Sequence, residues 1–117
     1  MNSELDQKLV DFAKKIGVSI KQKLKVNKIF LVRVDTGNTI QYGDESLDRN
    51  IYAFNESGEQ IWQIEPAPIR QSPNPYMSLR TEEGKIIAET WTGVELSINL
   101  SDGSVMVSTH NIRQRPW

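Results

Sequence analysis

Residues 50–64, NIYAFNESGEQIWQI, set two β-type runs on either side of a short polar turn. The same layout returns near the C-terminus: 94–100 (VELSINL), the turn Ser101-Asp102-Gly103, then 104–109 (SVMVST). β-Branched and aromatic residues suit a pleated, half-buried surface, while Asn, Asp and Gly suit the turns between. A chain of 117 residues that spends so much of its length on hairpins builds antiparallel sheet. One domain over 1–117 is the expected count.

A chain this long encloses an apolar core without metals or cross-links. Cysteine is absent, which excludes a disulfide framework, a thiolate nucleophile and a cysteine-based metal site. No apolar run approaches the roughly 20 residues a membrane span needs, and the N-terminus has no apolar leader core. A cytoplasmic protein with no membrane partner is therefore expected. Asn55-Glu56-Ser57 and Asn99-Leu100-Ser101 match the glycosylation pattern. Without a leader they read as turns.

The N-terminal segment reads as helix. Leu5, Leu9, Phe12, Ala13 and Ile16 recur at spacings of three and four, and Glu4 and Asp6 suit the positive end. Lys14 and Lys15 suit the negative end, and Gly17 supplies the left-handed residue that stops the helix. Residues 18–26 (VSIKQKLKV) are left open between strand and helix. Residues 29–34 (IFLVRV) fit a strand covered on both faces, and 39–42 a returning strand. Four prolines in 65–75 make that stretch an irregular connection. Strands at 76–81 and 85–91 follow, with Thr92-Gly93 as a two-residue hairpin loop before 94–100. The expected architecture is α+β: an N-terminal amphipathic helix packed on an antiparallel β-meander of six or seven strands.

The net charge of −1 hides an uneven layout. Residues 1–28 hold seven lysines against three acids, 29–110 hold five bases against twelve acids, and Arg113 and Arg115 close the chain. An acidic body between two basic ends steers charged partners, although a lysine run is also what the solvated face of a helix looks like.

Catalytic chemistry finds no foothold. His110 is the single histidine, and a lone imidazole needs a nucleophile or acid within hydrogen-bond reach, which no neighbour in sequence supplies. With Thr92-Gly93 as the loop, Glu89 and Glu95 fall on opposite sheet faces, which argues against a two-carboxylate glycosidase. The seven glycines match no phosphate-binding loop. No catalytic residue, cofactor or metal is assigned. Direct nucleic-acid binding is not expected, because the acidic sheet repels phosphates. Trp62, Trp91, Tyr52, Tyr76 and Phe54 are expected to fill the core between helix and sheet. Trp91, flanked by acids, and Tyr76 have a second reading as exposed anchors for a protein or a sugar.

Two resemblances attach to these blocks. Ile51-Tyr52-Ala53-Phe54, Gly58 and Trp62 resemble one blade of a quinoprotein-type β-propeller. A propeller needs about four blades or more, and two partial copies do not supply them. Residues 50–64, 84–93 (GKIIAETWTG) and 98–103 (INLSDG) together resemble small bacterial immunity proteins of contact-dependent inhibition and polymorphic-toxin systems. That resemblance implies a non-catalytic protein that binds and neutralises a cognate toxin domain, such as a nuclease. Its matched residues are structural and carry over no contact positions. Charge then nominates Asp44, Glu45, Asp48, Glu82 and Glu83 as contacts, with Tyr76 or Trp91 as anchor. The alternative is a small-ligand or carbohydrate-binding β module built on Trp91 and Tyr76. The oligomeric state is left open.

Overall fold

The computed structural model describes residues 3–35, 49–67 and 75–107. The N-terminal stripe folds as helix α1 (Ser3–Ile16), with acids in its first turn and lysines in its last. Gly17 N–H reaches Lys14 O at 3.2 Å and Val18 N–H reaches Ala13 O at 2.9 Å. That pair is a Schellman motif, which satisfies carbonyls the last helical turn leaves without partners. Val18 joins the apolar contact beneath it.

Among the described residues eight strands follow: β1 (Ser19–Val26), β2 (Ile29–Asp35), β3 (Ile51–Phe54), β4 (Gln60–Gln63), β5 (Tyr76–Glu82), β6 (Lys85–Thr90), β7 (Glu95–Ile98) and β8 (Val105–Val107). They form two antiparallel sheets, β1-β2-β3-β4 and β5-β6-β7-β8. The α+β class holds. In place of one sheet of six or seven strands, the described residues make two sheets of four. The break falls at the proline-rich link after β4, since proline donates nothing to a ladder. Residues 18–26 resolve as strand β1, in which exposed and half-buried positions alternate. The strand expected at 39–42 lies outside the described residues.

The first sheet is a middle layer. On one face, Val32, Val34 and Phe54 pack against Leu5 and Leu9 of α1, joined by Phe12, Ile20, Phe30 and Tyr52. The Phe12 ring meets Tyr52 and Phe54 edge-on at 4.8 and 5.0 Å. On the other face, Leu31, Ile51, Ala53, Trp62 and Ile64 meet Tyr76, Leu79, Ile86, Ala88, Leu96 and Ile98 of the second sheet. Burial on both faces erases the alternation of β2, which is why 29–34 reads as a continuous apolar run. A bulge in β1 supports the same layering. Ile20 pairs with Val34 but Gln22 with Arg33, so one added residue turns Ile20 to the helix and Gln22, Leu24 and Val26 toward the second sheet.

Buried amides tie the sheets together. Asn50 donates through Nδ2 to Val34 O at 2.9 Å and Tyr76 O at 2.8 Å, and its Oδ1 accepts from Tyr76 N–H at 2.8 Å. Tyr76 thereby receives from a side chain the two bonds a neighbouring strand would supply. Further along β5, Gln22 Nε2 donates to Leu79 O, while Gln22 Oε1 accepts from Arg33 Nε at 3.1 Å. At β8, Glu65 does similar work: its N–H donates to Gly103 O at 3.0 Å and its Oε1 accepts Val105 N–H at 3.3 Å. Open strand edges are templates for pairing with another chain. Both edges of the second sheet are therefore engaged.

The β1 edge is handled differently. Lys21, Lys23 and Lys25 occupy its exposed alternate positions, which places the middle of the lysine run on a strand, one of the two readings left open for 18–26. Lys23 Nζ lies 3.7 Å from Asp6, Lys21 Nζ 4.0 Å from Asp35, and Lys25 5.5 Å above the Phe30 ring. Charges on an edge discourage strand addition.

At Gly103 the backbone approaches the Trp62 ring closely. A Cβ there would sit 2.5 Å from Trp62 Cε3, at a backbone φ of +79°. The indole cannot easily yield, because its Nε1 donates to Leu100 O at 2.8 Å. Gly103→Ala is expected to cost about 2–3 kcal/mol, from left-handed strain plus a displaced ring. Gly17→Ala is the control, with φ +76° and nothing within 4 Å. It carries only the strain, about 1 kcal/mol. Urea unfolding compares the two, and equal losses would show that the indole contact contributes nothing.

Candidate functional site

Alternation along β5, β6 and β7 turns Leu79, Ala88, Leu96 and Ile98 into the core and leaves Arg80, Glu89, Glu95 and Ser97 on the outer face of the second sheet. Among the described residues the two apolar clusters lie on other faces, and Ile87, buried on this one beside Arg80 and Ser97, belongs to neither. Residues 75–107 hold five acids against two bases, a net of −3, whereas 3–35 and 49–67 hold nine bases against seven acids, a net of +2. Among the described residues the second sheet is thus net acidic and the rest net basic.

The β6–β7 hairpin sets this face. Thr90 N–H donates to Val94 O at 3.0 Å and Gly93 N–H to Thr90 O at 2.9 Å. The loop is therefore Trp91-Thr92-Gly93, three residues closed by Gly93 as a bulge at φ +91°. Thr90 Oγ1 braces it by accepting Val94 N–H at 3.1 Å, and Trp91 N–H donates to Pro75 O at 2.9 Å.

The loop is one residue longer than the Thr92-Gly93 pair expected from the sequence. A one-residue slip exchanges faces. Glu89 stands directly opposite Glu95, so the two carboxylates share a face where the sequence placed them on opposite ones. Glu95 Oε2 is held by Arg80 Nη2 at 3.0 Å, and the same nitrogen lies 3.4 Å from Glu82 Oε1. The hydrogen bond it donates to Glu95 raises the Arg80 pKa, and burial opposes that rise. Glu95, with 13% of its side chain exposed, serves as an ion-pair acceptor.

The nominated residues do not form one cluster. Trp91 is 61% exposed at the hairpin tip. Tyr76 is fully buried between the sheets, its hydroxyl donating to Glu65 O at 2.8 Å. Its reading as an exposed anchor is corrected, and no paired Trp91–Tyr76 platform exists for a sugar. Glu82 and Glu83 are exposed at the opposite end of the β5–β6 hairpin, where Glu82 pairs with Lys85 across the turn Glu83-Gly84. The length of β6, about 17 Å at 3.4 Å per residue, separates them from Trp91. Asp44, Glu45, Asp48 and His110 lie outside the described residues.

Sequence reasoning missed Arg80, Glu89 and Glu95 as one group. The available signal was Gly93 in the third position after the strand, since three-residue hairpins close with a left-handed glycine. Other polar contacts serve the fold. Burial lowers the Arg33 pKa against the pull of Asp35, and burial raises the Tyr52 pKa against Arg49. Gln63 Nε2 donates to Tyr52 Oη at 3.2 Å and to Arg49 O at 2.8 Å. Among the described residues no three His, Cys, Asp or Glu gather as a metal-holding group. No described helix is long and apolar enough to cross a membrane.

Residues 4–110 match the family described as Domain of unknown function (DUF7957). The chain belongs to that family. The matched span runs from the first turn of α1 past the end of β8, so the acidic face and Trp91 lie within the DUF7957 domain. No curated protein and no solved structure matches the chain.

Proposed function

We propose that this DUF7957 chain is a non-catalytic immunity protein that binds and neutralises a cognate toxin domain in the cytoplasm, a nuclease being the best fit. The observation that carries the proposal is the outer face of the second sheet, net acidic and flanked by an exposed tryptophan. An enzyme that grips nucleic acid presents cations, and an acidic face docks there, raising the on-rate and occluding the phosphate site. Aromatic anchors within a polar rim carry protein interfaces. The blocks at 50–64, 84–93 and 98–103 that resemble immunity proteins build β3, β4 and the hairpins bearing this face.

An immunity protein is encoded beside its toxin, so the test uses the polypeptide from the adjacent reading frame. That polypeptide is expected to arrest growth when expressed alone, and co-expression of this chain to restore growth. The purified pair should co-elute as one complex. A non-toxic neighbour, or toxicity that this chain leaves untouched, would retire the proposal.

A further inference from the structure

Glu89 and Glu95 are directly paired across β6 and β7. The adjoining Thr90 and Val94 are joined by a backbone bond, so 89–95 is a non-hydrogen-bonded pair, in which side chains stand closest. Like charges directly opposite one another destabilise a sheet. The nearby cation, Arg80, spends its contacts on Glu95 and Glu82. Among the described residues Glu89 makes no ion pair. The face is one cation short.

A second observation is independent of these charges. Two positions beyond Glu89, Trp91 presents an indole 61% exposed on a loop locked to Pro75, and Met77 at the near end of β5 is 50% exposed. The indole contributes nothing to either apolar cluster. One partner group answers both the unpaired carboxylate and the bare ring: a planar cation. Guanidinium stacks on an aromatic face while forking to a carboxylate, whereas an ammonium offers a point charge without the fork.

We infer that the corner formed by Glu89 and Trp91 receives an arginine side chain of a protein partner. This rests on the binding function proposed above and specifies its contact chemistry.

The test is calorimetric titration at fixed ionic strength with two probes, a nona-arginine and a nona-lysine peptide. Nona-arginine is expected to bind about tenfold more tightly, reflecting the stacked and forked contact that lysine lacks. Glu89→Gln should remove most of that preference, and Glu4→Gln, exposed on α1 beyond the first sheet, should leave it intact. Trp91→Ala should bring the two peptides to equal affinity. Glu89→Gln should also raise the thermal midpoint, because it relieves the repulsion with Glu95. Equal affinities for the two peptides would overturn the inference, as would a Glu89→Gln variant that melts earlier and keeps the arginine preference. The two proposals fail separately. An arginine preference without a toxin partner removes the immunity function alone, and a toxin complex indifferent to Glu89→Gln removes this contact alone.

Discussion

Asn50→Ala is expected to remove about 3–5 kcal/mol of folding free energy, because each buried polar group stranded without a partner costs roughly 1–3 kcal/mol. The substitution removes the amide's bonds to Tyr76 N–H and Tyr76 O in the core and takes one donor from Val34 O. Asn50 is 4% exposed and Tyr76 fully buried, so water has no open route to replace the amide. A loss of that size is a large share of the roughly 5–15 kcal/mol that holds a small domain folded. Asn50→Asp provides a sharper version. A carboxylate accepts from Tyr76 N–H but turns negative charge toward two carbonyl oxygens, so burial and those oxygens raise its folded pKa. A raised folded pKa makes stability greatest at low pH and lets it fall as pH rises through that value. Asn50→Asp should therefore recover stability between pH 7 and pH 5, and Asn50→Ala should not. Urea unfolding at both values decides the matter, and an alanine loss below 1 kcal/mol would show that the amide bridge does not hold the sheets.

The contrast between Asn50 and the turn asparagines shows what the sequence could reveal. Asn55 Oδ1 accepts Ser57 N–H at 2.9 Å and Glu59 N–H at 3.0 Å, and Asn99 Oδ1 accepts Ser101 N–H at 2.9 Å. Those bonds span two to four residues, so both glycosylation-like triplets were legible as turns. Helix α1 and its cap are equally local. Asn50 acts on a residue 26 positions away, and nothing in its own neighbourhood marks it as a bridge. The division into two sheets escaped for the same reason, since each hairpin looks alike whichever sheet it joins. One trace was present: the doubly apolar run at 29–34 implied a layer on each side, which a helix on one sheet alone does not supply. Polar neighbours likewise said nothing of Tyr76, because a strand alternates and a polar neighbour is compatible with a buried ring. The site was misread by a single residue of loop length, enough to move Glu89 relative to Glu95 from opposite faces to the same one.

Reversing the charge of that face should produce the largest kinetic effect. Glu82→Lys, Glu83→Lys and Glu89→Lys together carry residues 75–107 from −3 to +3. All three lie outside the apolar clusters, and the ion pair lost at Glu82 is exposed on both sides, so the fold should tolerate the change. Association with a basic toxin domain should slow by about 10–100-fold at low ionic strength, because steering acts on the encounter before any contact forms. The difference should narrow toward 1 M salt, where the Debye length is about 3 Å. Trp91→Ala should behave in the opposite manner, with a near-normal on-rate and faster dissociation, since an indole contributes only after docking. Stopped-flow mixing with the cognate toxin domain separates the two. An on-rate that ignores both salt and the triple reversal would place the interface away from the second sheet, whatever the affinity of the complex.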